Sequence, residues 1–358
     1  MSVPGTRPIE PTAGDDSPAA AVGSRDLVLR HLAGEPVARL PLMPITMMFA
    51  ADLSGIQYGD YCRDHELLVR AQCAVAERFG FDQVSCISDP AREASDLGAR
   101  ITWFEDQPPA IDEADALLTD KAILARLRVP DPLAGNRMCD RVGAAALFRA
   151  VARDRWLVEG WVEGPCAEGA DLRGINTLML DFFDDPAFVH DLFGFTVRVG
   201  ETFARAQINA GVDIVGVGDA AASLVGPAVY DEFVWPYERR LIASIHEMGS
   251  LVRLHVCGNT QRIVGRMATL GADVIDIDSP VPMAEARSAS GPDQILLGNL
   301  APVETLLNGG PEAVWEAVAD CHRVAGPRFV VGAGCEIPRA TPPDNVEAMA
   351  GYARTHRP

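Results

Sequence analysis

The sequence is short of positive charge: 31 Lys and Arg stand against 50 Asp and Glu in 358 residues, a formal net charge of -19. Nucleic acids and anionic membrane surfaces are polyanions, so a chain of this sign is repelled by both. A small neutral ligand or a basic partner is easier to accommodate. There is no run of about 18 uninterrupted apolar residues, which excludes a membrane-spanning helix. The first 24 residues are rich in Pro, Gly, Ala and acidic residues and contain no apolar signal-peptide segment. They read as a disordered leader over 1–24 of a cytoplasmic protein. No G-x-G-x-x-G follows a strand and opens a helix, so the dinucleotide-binding signature is missing, and no internal repeat stands out. Eight cysteines in a chain of this length do not make a small secreted disulfide scaffold, and reduced thiols are expected.

What is present is an alternation. Short apolar, β-branched runs at 40–48, 83–88, 156–162, 212–217, 251–256, 274–277, 294–297 and 328–331 are separated by stretches with apolar residues at three- and four-residue spacing, as in 187–206 and 227–248. Strands alternating with helices predict a parallel α/β protein. About eight such units suit a closed (β/α)8 TIM barrel, a single domain over 25–358, better than an open sheet. Several runs end in Gly, Asp or Asn ("VGVGD", "HVCGN", "LLGN"), and in a barrel those strand ends form the active face. The stretch 106–142 breaks the rhythm: it is acidic, then of helical pattern in "DEADALLTDKAILARLRV", then rich in Pro and Gly. It is expected to be an insertion near the barrel mouth.

One cluster carries metal chemistry. In "LVRLHVCGNTQ", His255 and Cys257 stand two apart on an apolar strand, so their side chains share a face. Gly258 and Asn259 supply a turn and Thr260 can cap a following helix, which puts the pair at the strand's C-terminal end. "RFVVGAGCEIP" places Cys335 directly after another strand near the chain end, and in a barrel the last strand converges on the same mouth. One imidazole and two thiolates suit Zn2+, and three protein ligands leave a fourth position open for catalysis. Glu163 and Asp219, both near strand ends, are candidates for that fourth position or for catalysis; the competing reading is an acid that hydrogen-bonds behind the ligands. The remaining cysteines lack metal-like spacing. Cys62 and Cys73 fall in helical patterns, Cys86 on a strand, Cys139 in the insertion and Cys166 after a strand, where packing is its expected role. Cys321 and His322 are adjacent on a helix and point apart.

The segments "HVCGNT", "GNLAPVETLLNGGPEAV" and "VVGAGCEIPRATPPDNVEAM" resemble the uroporphyrinogen decarboxylase superfamily, and within it the corrinoid-dependent methyltransferases that act on thiols. The likeness runs from about Leu40 onward through "GFDQVSCISDPAREASDLGA", "GPCAEGADLRG" and "GVDIVGVGDAAASLVGPAVYDEFVWPYERRL". It implies a (β/α)8 barrel and, for the methyltransferase branch, zinc held by a His-x-Cys pair and a distant Cys, which become His255, Cys257 and Cys335. The decarboxylases of the family carry an Arg-rich first strand for the many carboxylates of their substrate. Here "LPLMPITMMFAADLSG" has no Arg after Arg39, which argues against that reaction.

The resemblance further implies a cobalamin or corrinoid co-substrate, free or on a corrinoid protein, and a small thiol or methylated substrate. Zinc would hold the thiol as a thiolate that takes the methyl group. The alternatives are the reverse transfer, in which a methylated donor charges the corrinoid, and a metal-free decarboxylase. Asp89 and Glu93 in "SDPAREASDLGA" and Ser223 in "VGDAAAS" are candidate substrate contacts, with capping and loop hydrogen bonds as the competing reading. Asn299 in "LLGNLAP" is a candidate cofactor contact, with turn formation as the competing reading.

Overall fold

A computed structural model of the chain describes residues 23–358. The leader expected over 1–24 lies outside the described residues except for Gly23 and Ser24, and Ser24 already opens a helix, Ser24–Leu32. Seven strands, β1 (Gln83–Ser85), β2 (Leu157–Glu163), β3 (Ile214–Gly218), β4 (Leu251–Val256), β5 (Val274–Ile277), β6 (Ile295–Leu300) and β7 (Phe329–Ala333), pair in sequence order and in parallel. Helices cross over between successive strands, as the apolar spacing predicted.

The eighth stave is the segment expected as a strand over 40–48. It forms only two isolated bridges, Leu42 to Val331 and Ile45 to Glu336, and a helix, Met48–Leu53, starts inside its predicted span. Pro41 and Pro44 explain the shortfall, because neither has an N–H to give to a ladder. The stave nevertheless closes the barrel: Met43 N donates to Val331 O at 2.9 Å, Val331 N to Pro41 O at 2.9 Å, and Asp82 N to Leu42 O at 2.9 Å. The molecule is a (β/α)8 barrel.

Strand alternation sorts the interior into layers. At the N-terminal end, Leu157, Ile214, Val274, Ile295 and Val330 pack with Leu27 and Val28 of the Ser24–Leu32 helix, which plugs the barrel floor. Full burial of Leu27 and Val28 contributes roughly 1.5–3 kcal/mol each. One layer up the interior is ionic. Arg253 meets Asp276 at 2.6 Å and Glu159 at 3.2 Å, and all three side chains are sealed from solvent. The top layer is apolar and aromatic, with Ile45, Ile87 and Trp161.

Trp161 lies flat only because its neighbours on β3 are glycines. A Cβ at Gly216 would come 2.2 Å from Trp161 Cε3, and one at Gly218 would come 2.9 Å from its Nε1. Gly216→Ala is expected to cost about 1–3 kcal/mol through overpacking and to shift the indole, read as a lower denaturant midpoint with a changed tryptophan emission maximum. Unchanged emission and midpoint would show that the wall yields freely.

The stretch 106–142 departs from its predicted helical content. Two short 3-10 turns, Glu113–Asp115 and Lys121–Arg126, replace the expected helix. Asp112 and Asp120 each cap the turn that follows them, accepting from Ala114 N and Ala122 N, so the chain restarts twice instead of running on. Leu118 N then donates to Leu172 O at 2.8 Å, which ties the segment to the helix Pro165–Arg173. The insertion ends before Arg137, where a regular barrel helix, Arg137–Ala152, begins and carries Cys139. Asp106, at the start of the stretch, pairs with Arg339 at 2.8 Å beside the loop that follows Cys335, which sets the insertion near the barrel mouth. Among the described residues, no helix is long and apolar enough to cross a membrane.

Candidate metal centre

His255 ends the inward-facing row of β4, one layer above Arg253, and Cys257 continues that row into the turn. Cys335 follows β7 in the loop that Glu336 fixes by accepting from Met47 N at 3.2 Å and from Met48 N at 2.6 Å. The fold brings the three together: His255 Nε2 is 2.8 Å from Cys257 Sγ, and Cys257 Sγ is 3.2 Å from Cys335 Sγ. Their donor atoms all lie within 4.8 Å of one another. Zn–S bonds of about 2.3 Å and Zn–N bonds of about 2.0–2.1 Å let one ion touch all three.

The other imidazole nitrogen is also placed. His255 Nδ1 is 3.1 Å from Asp276 Oδ2, at ion-pair distance though off the line of a straight hydrogen bond. A carboxylate behind Nδ1 keeps the proton there and turns Nε2 outward as the donor, the arrangement of many zinc histidines. Burial pushes the His255 pKa down, but Asp276 and Cys257 outweigh it and the net shift is upward. The hydrogen bond from Cys257 lowers the Cys335 thiol to about 4 against the opposing effect of burial, while Cys257 is driven up by the same bond. The contact between the two sulfurs, with the adjacent imidazole, thus favours thiolate character on Cys335, which suits a soft cation. The donor set fits zinc.

The remaining residues singled out in the sequence are divided between the pocket above the donors and its supports. Glu163 lines that pocket, and its Oε1 accepts from Arg92 at 2.8 Å. Burial raises the Glu163 carboxyl well above its ordinary range despite the Arg92 charge. Asp89 also lines the pocket and is held by Arg137 at 2.6 Å. Glu93 stands behind, accepting from Glu163 N at 2.9 Å. Ser223 donates to Ala220 O at 2.9 Å and sits against Gly258 of the ligand turn. Asn299 donates to Val281 O at 2.6 Å and is engaged in the loop after β5.

Asp219 points away from the donors. Its carboxylate accepts from Ala167 N at 2.6 Å and Cys166 N at 3.3 Å at the start of Pro165–Arg173, beside the buried Glu238, which takes the Tyr230 hydroxyl. Burial raises Asp219 to about 7 from an ordinary 3.8, outweighing those N–H groups. The protonated form is therefore the one favoured by folding, and its stabilisation is complete below about pH 4 and lost as pH rises through 7. Asp219→Asn is expected to remove that slope, a change on the order of 3 kcal/mol across pH 4 to 7.5. Urea midpoints of both proteins at the two pH values measure it, and parallel pH dependences would exclude Asp219 as the titrating group.

Asp276, Arg253, Arg92 and Trp161 belong to the site and were not singled out from the sequence. For the three on strands the one visible signal is parity: Asp276 in "VIDID", Arg253 in "LVRLH" and Trp161 in "VEGWVE" occupy the inward rows of apolar strands, whereas Arg92 opens a helix.

The sequence profile of the family Uroporphyrinogen decarboxylase (URO-D) matches residues 23–356. The chain belongs to this family. Its relatives there carry two kinds of name. A uroporphyrinogen decarboxylase of Nocardia farcinica is 30% identical over 265 residues, 73% of this chain and 73% of the relative. A methylcobamide:CoM methyltransferase of Methanosarcina mazei is 26% identical over 348 residues, 93% of this chain and 98% of the relative. Among solved structures, a methyltransferase from Methanosarcina mazei superposes with a TM-score of 0.85 at 21% identity, covering 92% of this chain and 98% of that one. At that identity the structural likeness establishes the shared barrel. The choice between the family's two activities rests on the site.

Proposed function

We propose that this member of the uroporphyrinogen decarboxylase family is a zinc-dependent methyltransferase that moves a methyl group between a corrinoid and a small thiol. The observation that carries the reading is the convergence of His255, Cys257 and Cys335 at the mouth, with their free side toward a pocket of about 180 Å³. The similarity to a methylcobamide:CoM methyltransferase over 93% of the chain supports the same reading. Zinc held by these three residues supplies a Lewis acid that keeps a thiol ionised at neutral pH.

The protein's own residues do the rest of the work. Asp276 orients the imidazole and offsets the charge that gathers at the donors. Arg253, compensated by Asp276 and Glu159, fixes the carboxylate that fixes the histidine. Ile45, Ile87 and Trp161 keep the sulfur in an apolar wall, where water competes poorly for its position. Glu163, paired with Arg92 and with its carboxyl raised by burial, lines the same pocket and gives it a group that can donate a hydrogen bond.

Purified full-length protein is expected to hold one zinc per chain and, with a thiol, to demethylate methylcobalamin, followed by the cobalamin absorption spectrum. A corrinoid protein is supplied as partner if free methylcobalamin is inert. Protein that binds no zinc, or that decarboxylates a carboxylated tetrapyrrole with Cys335→Ser fully active, overturns the reading.

A further inference from the structure

We propose that the pocket over the donor set selects an uncharged thiol with a compact apolar body, about the size of a single six-membered ring, and rejects thiols that carry an anionic group. The inference rests on the zinc–thiol reading and adds the substrate class. Three observations carry it.

The first is the state of the pocket's charges. Among the described residues, Arg92 is the one Arg or Lys lining this space. Its side chain is 1% exposed, and the guanidinium is committed to Glu163 at 2.8 Å, to Glu93 at 3.4 Å and to the Asp89 carbonyl. The positive charge is buried inside the wall and balanced there by Glu163 and Glu93, although Nε itself makes no hydrogen bond.

The second is what an anion would meet instead. Glu163 and Asp89 are the acids on the lining, and Asp89 is itself held by Arg137. A sulfonate or carboxylate entering here loses its water, finds no exposed cation on the wall and comes up against the ionised Asp89, which is the costly way to bury an ion.

The third is size and surface. Ile45, Met47, Ile87, Pro90 and Trp161 make the rest of the wall around a volume of about 180 Å³. A dry apolar cavity of about 150 Å³ accepts benzene, so this one takes a single ring or a short branched chain, with the sulfur toward Cys257 and Cys335. Gly216 and Gly218 let Trp161 lie flat as one side of it.

The test uses zinc-loaded full-length protein and two thiols with the same number of non-hydrogen atoms, cyclohexanethiol and 2-mercaptoethanesulfonate. Zinc-edge absorption reads the gain of a sulfur ligand, and methylcobalamin demethylation gives kcat/KM for each. The expected result is a sulfur ligand gained at lower concentration with cyclohexanethiol and a kcat/KM at least about tenfold higher. Met47→Arg, which adds a cation to the half-buried rim, is expected to move that ratio toward the sulfonated thiol by about tenfold. A parent protein that gains sulfur from both thiols and prefers the sulfonated one overturns the selectivity and leaves the zinc–thiol reading standing. Protein to which neither thiol adds a sulfur ligand overturns both.

Discussion

Cys335→Ser protein is expected to retain the far-UV spectrum of the parent while its zinc falls from one ion per chain to under about a tenth, and methyl transfer drops by more than about a hundredfold. Replacing even a partner behind a ligand costs roughly 10–100-fold in metal affinity or activity, and the loss of a direct sulfur donor should exceed that. Serine is nearly isosteric, and its hydroxyl does not ionise near neutral pH to replace a thiolate. The fold should survive, because Cys335 lies beyond the end of β7 and is only half-buried. Cys73→Ser, on the helix His65–Phe79 and remote from the donors, is the control and should keep both metal and activity. Full zinc occupancy in Cys335→Ser, measured by elemental analysis, would remove Cys335 from the ligand set.

Arg253→Met should lower stability by about 3–5 kcal/mol, the usual result of removing one partner from a buried ion cluster. Methionine fills much of the same volume, so the effect is electrostatic: Glu159 loses its counterion and Asp276 keeps only His255, with no solvent for either. The damage should also reach the metal, since an Asp276 that takes up a proton no longer holds the His255 ring. Zinc affinity is expected to fall alongside the urea midpoint. Adding Glu159→Gln to Arg253→Met should return part of the stability, because the cluster members are coupled and their effects do not add. If Arg253→Met alone leaves the midpoint unchanged, the layer contributes nothing to folding.

The barrel was legible in the alternation of apolar runs with helical spacing, because strand and helix periods differ and burial enforces both. The first stave was legible in place but not in form: its apolar run is real, and Pro41 and Pro44 remove the donors that would have made it a full ladder. The helical pattern in 112–129 misled because apolar spacing alone does not show that Asp112 and Asp120 each start a new turn. His255 and Cys257 could be paired from sequence since two residues on a strand share a face, which is local geometry. Asp276 could not, because its meeting with His255 depends on the register of β4 against β5, where those two residues are direct partners. Trp161, Arg92 and Arg253 are hidden for the same reason: each acts through a neighbour far away in the chain.

The proline-weakened stave has one more consequence. Ile45 bridges Glu336, the residue after Cys335, so one donor hangs on the least-bonded part of the barrel wall, while His255 sits on the fully laddered β4 and Cys257 in the turn directly after it. A wall opens first where it has fewest hydrogen bonds. An ion shared between Cys335 and the His255–Cys257 pair would tie that seam to β4. Amide hydrogens at Met43 and Ile337, which donate across the seam to Val331 and Ile45, report that tie: they exchange with solvent faster when the metal is stripped.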